Sequence, residues 1–266
     1  MTTTLPPLRR WPLVRGEVAF WLLHYRRTWR SSIVMNIANP LLFFVGIGVG
    51  LGRLVDTSAS ASLHGAPYLT FLAPGLLAAA AMQTATIESA AGSFLSLRDR
   101  RNYRAAACTP LDPADVLAGH LLFIVFRVAT SAAAVLLVML LFGVARTPLV
   151  LLTLPAAVLT GLAFATPGMA LGVTIRNRET FFNVFRFVIM PTYLFSGTFV
   201  AVDELPAAIR PFVYPLPLWH GVELCRGFAL GGLEPGRAAL HLTYLTLLAT
   251  VGLLLARRAY RRALHD

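Results

Sequence analysis

The sequence contains no lysine, and all 23 of its basic side chains are arginines. A phosphate-binding loop of the usual type places a lysine on the β- and γ-phosphates of a nucleotide, and this chain has none to place there. Schiff-base chemistry through a lysine is excluded for the same reason. We therefore expect that the chain neither binds nor hydrolyses ATP by itself.

Charged residues are also scarce. They make up 13% of the 266 residues, whereas 57% are hydrophobic, and soluble domains carry roughly 25% charged residues. The composition predicts an integral membrane protein with one domain, residues 1–266, embedded over nearly its whole length. The net charge of +11 does not indicate nucleic-acid binding, because the arginines lie at the ends of apolar segments, where they set orientation in a bilayer.

Residues that carry out catalysis or bind metals form no recognisable group. The two cysteines, Cys108 and Cys225, have no metal-ligand spacing, and the histidines at positions 24, 120 and 220 are scattered. No nucleophile with a neighbouring base can be assigned. We expect no metal, no cofactor held by this chain and no enzymatic activity.

Six apolar segments alternate with polar loops and predict an all-α membrane protein with six spans. At ~1.5 Å per residue, a helix of about 20 residues crosses the ~30 Å hydrocarbon core. Pro74-Gly75 is expected to interrupt the second span. The predicted spans cover residues 33–51, 68–95, 116–142, 149–173, 183–202 and 238–256.

The arginines are distributed unequally between the two sides of these spans. Sixteen lie in the N-terminal segment, in the loops 98–115 and 176–179 and in the C-terminal tail, and five lie on the opposite side. Because basic residues favour the cytoplasmic side, both termini are predicted to be cytoplasmic.

The segment 9–30 mixes six arginines with Trp11, Phe20 and Trp21. Such a mixture is typical of a helix that lies in the membrane interface. The alternative is an ordinary basic flank of the first span.

The loop 98–115 has two parts, a basic helix that continues the second span and the start of a new helix. Asp112 before Pro113 is typical of a helix N-cap followed by proline in the first turn. We expect this loop to dock and couple an ATPase partner, although it could serve orientation alone. The candidate coupling residues are Arg98, Asp99, Arg100, Arg101, Tyr103, Arg104, Asp112 and Asp115.

The stretch 203–231 is too broken to span the membrane. It is predicted to form an external helical hairpin of short re-entrant helices, with one helix over 205–213 and another over 222–230. Irregular backbone at membrane depth occurs where it is buried in protein or lines a water-filled cavity, so the stretch is expected to border a pathway. The candidate gate residues are Ser196, Gly197, Asp203, Glu204, Pro215, Pro217 and His220.

Glu88 and Arg127 are ionisable residues inside the second and third spans. Ionisable groups at that depth cost ~2.5–3.5 kcal/mol on insertion scales, so they usually face protein or water. The two residues lie at matching depths in antiparallel neighbours and are predicted to pair. The pair would fix helix register or lie on the substrate path.

Two groups of residues resemble the permease subunits of ABC-2-type exporters, particularly the nodulation-factor and daunorubicin-type drug exporters. One group leads from residues 68–75 (YLTFLAPG) through Glu88 to Arg98. The other leads from residues 195–197 (FSG) through Leu205-Pro206 to residues 215–220 (PLPLWH). Phe199-Val200 departs from the Phe-Pro common in relatives, which affects the approach to the external helices.

The resemblance implies an interfacial N-terminal helix, a coupling helix in the first cytoplasmic loop and short external helices before the last span. It also implies a permease dimer, of two copies or of paralogues, in the bacterial inner membrane. Two separate ATPase subunits would bind ATP and Mg²⁺. The cargo would be an amphipathic drug, lipid or lipid-linked saccharide.

Two other classes of function remain open from the sequence. One is an ion- or proton-coupled secondary carrier in which Glu88 is the coupling group. The other is a membrane scaffold without transport activity.

Overall fold

The computed structural model describes residues 10–46, 68–144 and 147–265, and every regular element within them is helical. The end of the predicted first span and the loop after it lie outside the described residues. So do Arg53 and Arg146, two of the five arginines on the predicted external side. We number the α-helices in chain order: α1 (Arg10–Phe43), α2 (Tyr68–Thr86), α3 (Gly92–Arg98), α4 (Asn102–Ala107), α5 (Pro113–Leu141), α6 (Thr153–Thr174), α7 (Arg178–Val184), α8 (Met190–Phe195), α9 (Arg210–Val213), α10 (Pro217–Leu230) and α11 (Pro235–His265).

Four helical segments among the described residues are long and apolar enough to cross a membrane. They are Tyr68–Arg98, Pro113–Leu141, Pro148–Thr174 and Pro235–Leu264, which confirms the second, third, fourth and sixth predicted spans. α2 and α3 are joined by a π-helical turn, Ile87–Ala91, into one continuous segment.

The predicted interruption at Pro74-Gly75 is wrong, because α2 continues through Pro74. The neighbouring helices hold this part of α2, and Pro74 and Gly75 are both buried among them. The packing therefore outweighs the backbone hydrogen bond that proline cannot donate.

α2 lies at the centre of the fold and α11 at its edge. α2 packs against α5, α6 and α10, whereas the main partner of α11 is α6. The most apolar part of Tyr68–Arg98 is 72% buried inside the protein, whereas the most apolar part of Pro235–Leu264 is only 17% buried. Most of the surface of α11 is therefore left for lipid or for another protein.

The π-helical turn approaches α6 closely at Gly172. A Cβ atom at this position would lie far inside van der Waals distance of the carbonyl oxygen of Ala90 and 2.9 Å from Cβ of Ser93. Glycine allows the two backbones to approach, as small residues commonly do between membrane helices.

α1 is a single helix from Arg10 to Phe43 and packs along α5. It includes both the predicted interfacial segment and the start of the predicted first span. Val14, Glu17 and Trp21 are buried, while Trp11, Leu23 and Trp29 are exposed. The exposed aromatic and basic side chains leave an amphipathic outer surface.

Candidate functional site

The loop 98–115 folds into a compact helical corner. The predicted continuation of the second span through the basic residues is wrong: α3 ends at Arg98, and Arg101 adopts a left-handed conformation with φ 56° before α4 begins. Asp99 accepts a hydrogen bond from Arg178 across the corner. The chain turns here because α4 packs on α5 and α11 instead of projecting away from the membrane.

Tyr103 anchors α4 to the spans. Its side chain is fully buried, and its hydroxyl oxygen lies 2.5 Å from Nδ1 of His120 and 2.9 Å from the hydroxyl oxygen of Tyr260. Tyr260 also forms a 2.8 Å hydrogen bond with Ser93. Burial raises the pKa of Tyr103 well above its usual value, so the phenol keeps its proton. These four side chains link α3, α4, α5 and α11.

The same cluster extends to α1. The indole of Trp21 stacks on the imidazole of His120 with ring centroids 4.0 Å apart, and its Nε1 donates to Glu17 at 2.9 Å. Five helices therefore meet at the buried side of the loop. We call the residues Glu17, Trp21, Ser93, Tyr103, His120 and Tyr260 the loop cluster.

The second part of the loop confirms the predicted start of the third span. Asp112 accepts a hydrogen bond from the amide of Ala114 at 2.8 Å, and Asp115 accepts one from the amide of Asp112 at 3.2 Å. With Pro113 in the first turn, this is a reciprocal N-terminal cap. Asp115 is buried in this role.

The remaining candidate coupling residues give the loop a basic outer surface. The side chains of Arg100, Arg101 and Arg104 are exposed, and that of Arg98 is half-buried. Tyr103, by contrast, faces the interior. A partner at this loop would meet arginines, and Tyr103 would only hold the surface in place.

The structure brings Glu88 and Arg127 together. Nε of Arg127 donates to Oε1 of Glu88 at 2.8 Å, and the two side chains are 9% and 23% exposed, respectively. The guanidinium also lies over the ring of Tyr25, 4.7 Å from its centroid. The π-helical turn carries Glu88, so the pair joins this turn to α5 and α1.

Ser196 and Gly197 form a buried turn after α8. Gly197 has φ +81°, a backbone conformation that residues other than glycine rarely adopt. Ser196 is fully buried and its hydroxyl lies 3.0 Å from that of Thr198. The carbonyl of Phe199 accepts a hydrogen bond from Tyr68 at 2.9 Å, which ties the turn to α2.

Arg226 ties the same turn to α10. Its Nη2 donates to the carbonyl of Gly197 at 2.9 Å, its Nη1 donates to Glu223 at 2.9 Å, and the guanidinium lies 3.9 Å from the ring centroid of Phe71. Arg226 is one of the five arginines on the predicted external side, and the sequence indicates no further role for it. A lone arginine on a half-apolar segment carries no signal that would reveal such contacts.

The stretch after the turn differs from its predicted boundaries. The helix expected over 205–213 is limited to α9, and the second helix begins at Pro217, five residues before the predicted start at 222. Proline suits the first helical position, because the amide it lacks would be unpaired there. Asp203 and Glu204 are exposed in a 3₁₀ turn.

His220 and Pro215 contact the last span. Nδ1 of His220 lies 2.8 Å from Nδ1 of His241, and the His220 ring stacks on Tyr244 at 3.9 Å. Tyr244 donates to the carbonyl of Pro215 at 2.5 Å. The candidate gate residues thus differ in burial: Ser196, Gly197 and His220 are buried, Pro217 is half-buried, and Asp203, Glu204 and Pro215 are exposed.

Long apolar helices, an arginine-rich helical corner and a broken stretch held between helices are typical of a multi-pass membrane protein. Residues 19–230 match the ABC-2 type transporter family, and the chain belongs to that family. This confirms the resemblance found in the sequence.

Individual relatives agree with this assignment. The chain is 31% identical to nodulation protein J of Sinorhizobium fredii, over 93% of each chain. It is 30% identical to nodulation protein J of Rhizobium leguminosarum bv. viciae, over 92% of this chain and 95% of the relative. The inner membrane transport permease YadH of Escherichia coli is 25% identical over 80% of this chain and 77% of its own length.

Proposed function

We propose that this protein is the permease subunit of an ATP-driven exporter and that a separate ATPase subunit binds ATP and Mg²⁺. The observation that carries the proposal is likeness along almost the whole chain to members of the ABC-2 type transporter family, one of which is named a transport permease. The absence of lysine supports a separate source of energy.

The membrane arrangement we propose has six spans, with both termini in the cytoplasm. The first span is the second half of α1. The fifth, predicted over 183–202, is placed over the helical residues 178–195, because the helix ends at Phe195. Residues 203–231 lie on the external side as short re-entrant helices. The unequal distribution of arginines supports this orientation.

The basic outer surface of the loop 98–115 is the proposed docking site for the ATPase. Arg100, Arg101 and Arg104 are exposed there. Tyr103 connects α4, which contains Arg104 and directly follows the other two, to the spans through the loop cluster. A displacement of α4 would therefore be transmitted to α5 and α11. An acidic partner surface would complement the three guanidinium groups.

A second copy of the chain, or a paralogue, is the proposed partner within the membrane. Residues 178–195 expose large apolar side chains, including Phe182, Phe187 and Leu194. They make no extensive contact with another helix in the part of the chain that the structure describes. Such a surface suits a dimer contact, with lipid around it.

The proposed cargo is an amphipathic molecule, a drug, a lipid or a lipid-linked saccharide. A secondary carrier that uses Glu88 is a weaker alternative, because this carboxylate is already engaged by Arg127. We prefer a structural role for the pair.

The docking proposal is tested by reversing charge in the loop. We expect Arg100→Glu/Arg101→Glu/Arg104→Glu to insert normally, since the other arginines still set orientation. The same variant should lose co-purification of the ATPase and cargo-stimulated ATP hydrolysis in reconstituted vesicles.

The matched control is Arg26→Glu/Arg27→Glu/Arg30→Glu, an equal charge change on exposed residues of α1. It should retain the ATPase. Loss of association in this control alone would move the docking site to the N-terminal segment and contradict the proposal for the loop.

The orientation is tested with native Cys108, which is exposed, against Ala208→Cys in a Cys108→Ser background. A membrane-impermeant thiol reagent applied to whole cells should label position 208 and leave Cys108 unmodified. The reverse pattern would invert the proposed topology.

A further inference from the structure

A groove of about 790 Å³ lies where the C-terminal ends of α6 and α11 meet the loop 98–115. Its polar lining consists mainly of five guanidinium groups, and the rest of the wall is mostly apolar. These arginines come from four separate parts of the chain: Arg98, Arg104, Arg176, Arg258 and Arg262.

The positive charge of this groove is not balanced by acidic groups in the part of the chain that the structure describes. Among the described residues, no carboxylate lines it and none forms a salt bridge with any of its five arginines. Nε of Arg98 is buried and has no hydrogen-bond partner among the described residues. Arg178 nearby, in contrast, is paired with Asp99. A buried donor without a partner is costly, so the chemistry of this groove favours an anion.

The wall beside the arginines is apolar and continues onto the surface of a span. Leu171 and Leu255 line the groove. Above it, α11 exposes Leu247, Val251 and Leu254, at the three- and four-residue spacing that places side chains on one helix face. The same spacing leads from Leu254 to Arg258 and then to Arg262. One face of α11 thus passes from apolar to basic at the end of the span.

We propose that this groove binds the phosphate headgroup of an anionic phospholipid from the adjoining leaflet, with the acyl chains along the apolar face of α11. Guanidinium groups bind phosphate oxygens in pairs of hydrogen bonds, and basic pockets between membrane helices bind anionic headgroups. The continuous apolar face favours a lipid over an acidic protein segment or free phosphate, neither of which would cover it. The binding does not require the transport activity proposed above.

Arg258 and Arg262 permit a test with an internal control. Arg257 and Arg261 are exposed neighbours on the same helix but do not line the groove. Arg258→Gln/Arg262→Gln and Arg257→Gln/Arg261→Gln therefore remove the same charge from the same helix. A third variant, Arg258→Lys/Arg262→Lys, keeps the charge.

The measurement is native mass spectrometry of the purified full chain after reconstitution into vesicles of equal phosphatidylglycerol and phosphatidylcholine and mild detergent extraction. We expect the wild-type chain to retain phosphatidylglycerol selectively. The affinity of Arg258→Gln/Arg262→Gln should fall about tenfold or more, because each basic residue near an anionic surface contributes ~1 kcal/mol. The control should retain the lipid, and the lysine variant should retain part of it.

Several results would overturn the proposal. Equal loss in the groove variant and its control would show general surface attraction, and equal retention of phosphatidylcholine would show no headgroup recognition. Displacement by inorganic phosphate alone would assign the groove to a soluble anion. Unchanged lipid binding with loss of the ATPase in Arg258→Gln/Arg262→Gln would assign it to a protein partner. Circular dichroism of each variant separates all of these results from misfolding.

Discussion

Arg127 donates a 2.8 Å hydrogen bond to Glu88, which is 39 residues earlier in the sequence, and the guanidinium also lies over the ring of Tyr25. The contact joins the π-helical turn to the third predicted span and to α1. Nη1 of Arg127 is buried and has no hydrogen bond within the described residues, so the pair is the main polar anchor of this guanidinium.

Removing either member of this pair should destabilise the protein. We expect Glu88→Gln and Arg127→Gln each to lower the free energy of unfolding by about 3 kcal/mol, because the remaining charge would be left without its partner. Arg127→Gln should cost more, since it also loses the contact with Tyr25. The measurement is thermal unfolding in detergent, with exposed Arg186→Gln as the control. Costs that simply add in the double variant would reject the coupling.

The Tyr103–Tyr260 contact should hold the loop 98–115 against the spans. Tyr103→Phe removes hydrogen bonds to His120 and Tyr260 and should cost about 1–2 kcal/mol. Hydrogen exchange at residues 102–107 should accelerate, since α4 would lose its polar anchor. Tyr214→Phe, at an exposed position, is the control and should leave exchange unchanged. Unchanged exchange in Tyr103→Phe would show that apolar packing alone holds α4.

Gly172 should tolerate no side chain. Gly172→Ala would place a methyl group against the carbonyl of Ala90, and the helices would have to separate. The cost should be about 2 kcal/mol, within the range for overpacked sites. Gly236→Ala is the matched control, because no atom lies within 4 Å of its added Cβ. It should be neutral or slightly stabilising, since alanine favours helix. Equal unfolding temperatures of the two variants would contradict the observed close approach.

Arg226 should stabilise the turn at Gly197. Arg226→Gln removes the hydrogen bond to the Gly197 carbonyl and the contact with Phe71, so we expect a loss of about 2 kcal/mol. Arg237→Gln is the control, because Arg237 also forms an ion pair with a glutamate three positions away, but its side chain is 77% exposed. An exposed pair of this kind contributes little. Similar unfolding temperatures for the two variants would show that the contacts of Arg226 with Gly197 and Phe71 do not stabilise the protein.

Local sequence patterns were sufficient to predict several elements. Length and hydropathy identified the four candidate spans, because a helix needs about 20 predominantly apolar residues to cross the hydrocarbon core. Asp112 and Pro113 predicted the helix start at Pro113, since the cap depends only on adjacent residues. The opposite charges and matching depths of Glu88 and Arg127 predicted the ion pair that these two side chains form.

Only the tertiary structure decided which surfaces of the spans meet. Lipid and the protein interior are equally apolar, so hydropathy cannot tell a packed helix face from a lipid-facing one. For that reason the sequence did not reveal that Tyr103 meets Tyr260, 157 residues later, or that Arg226 lies over Phe71. The sequence by itself determined which segments are apolar enough to cross a membrane and where the charge lies along the chain. The packing decided which arginines form ion pairs with carboxylates and which line a groove with no carboxylate among the described residues.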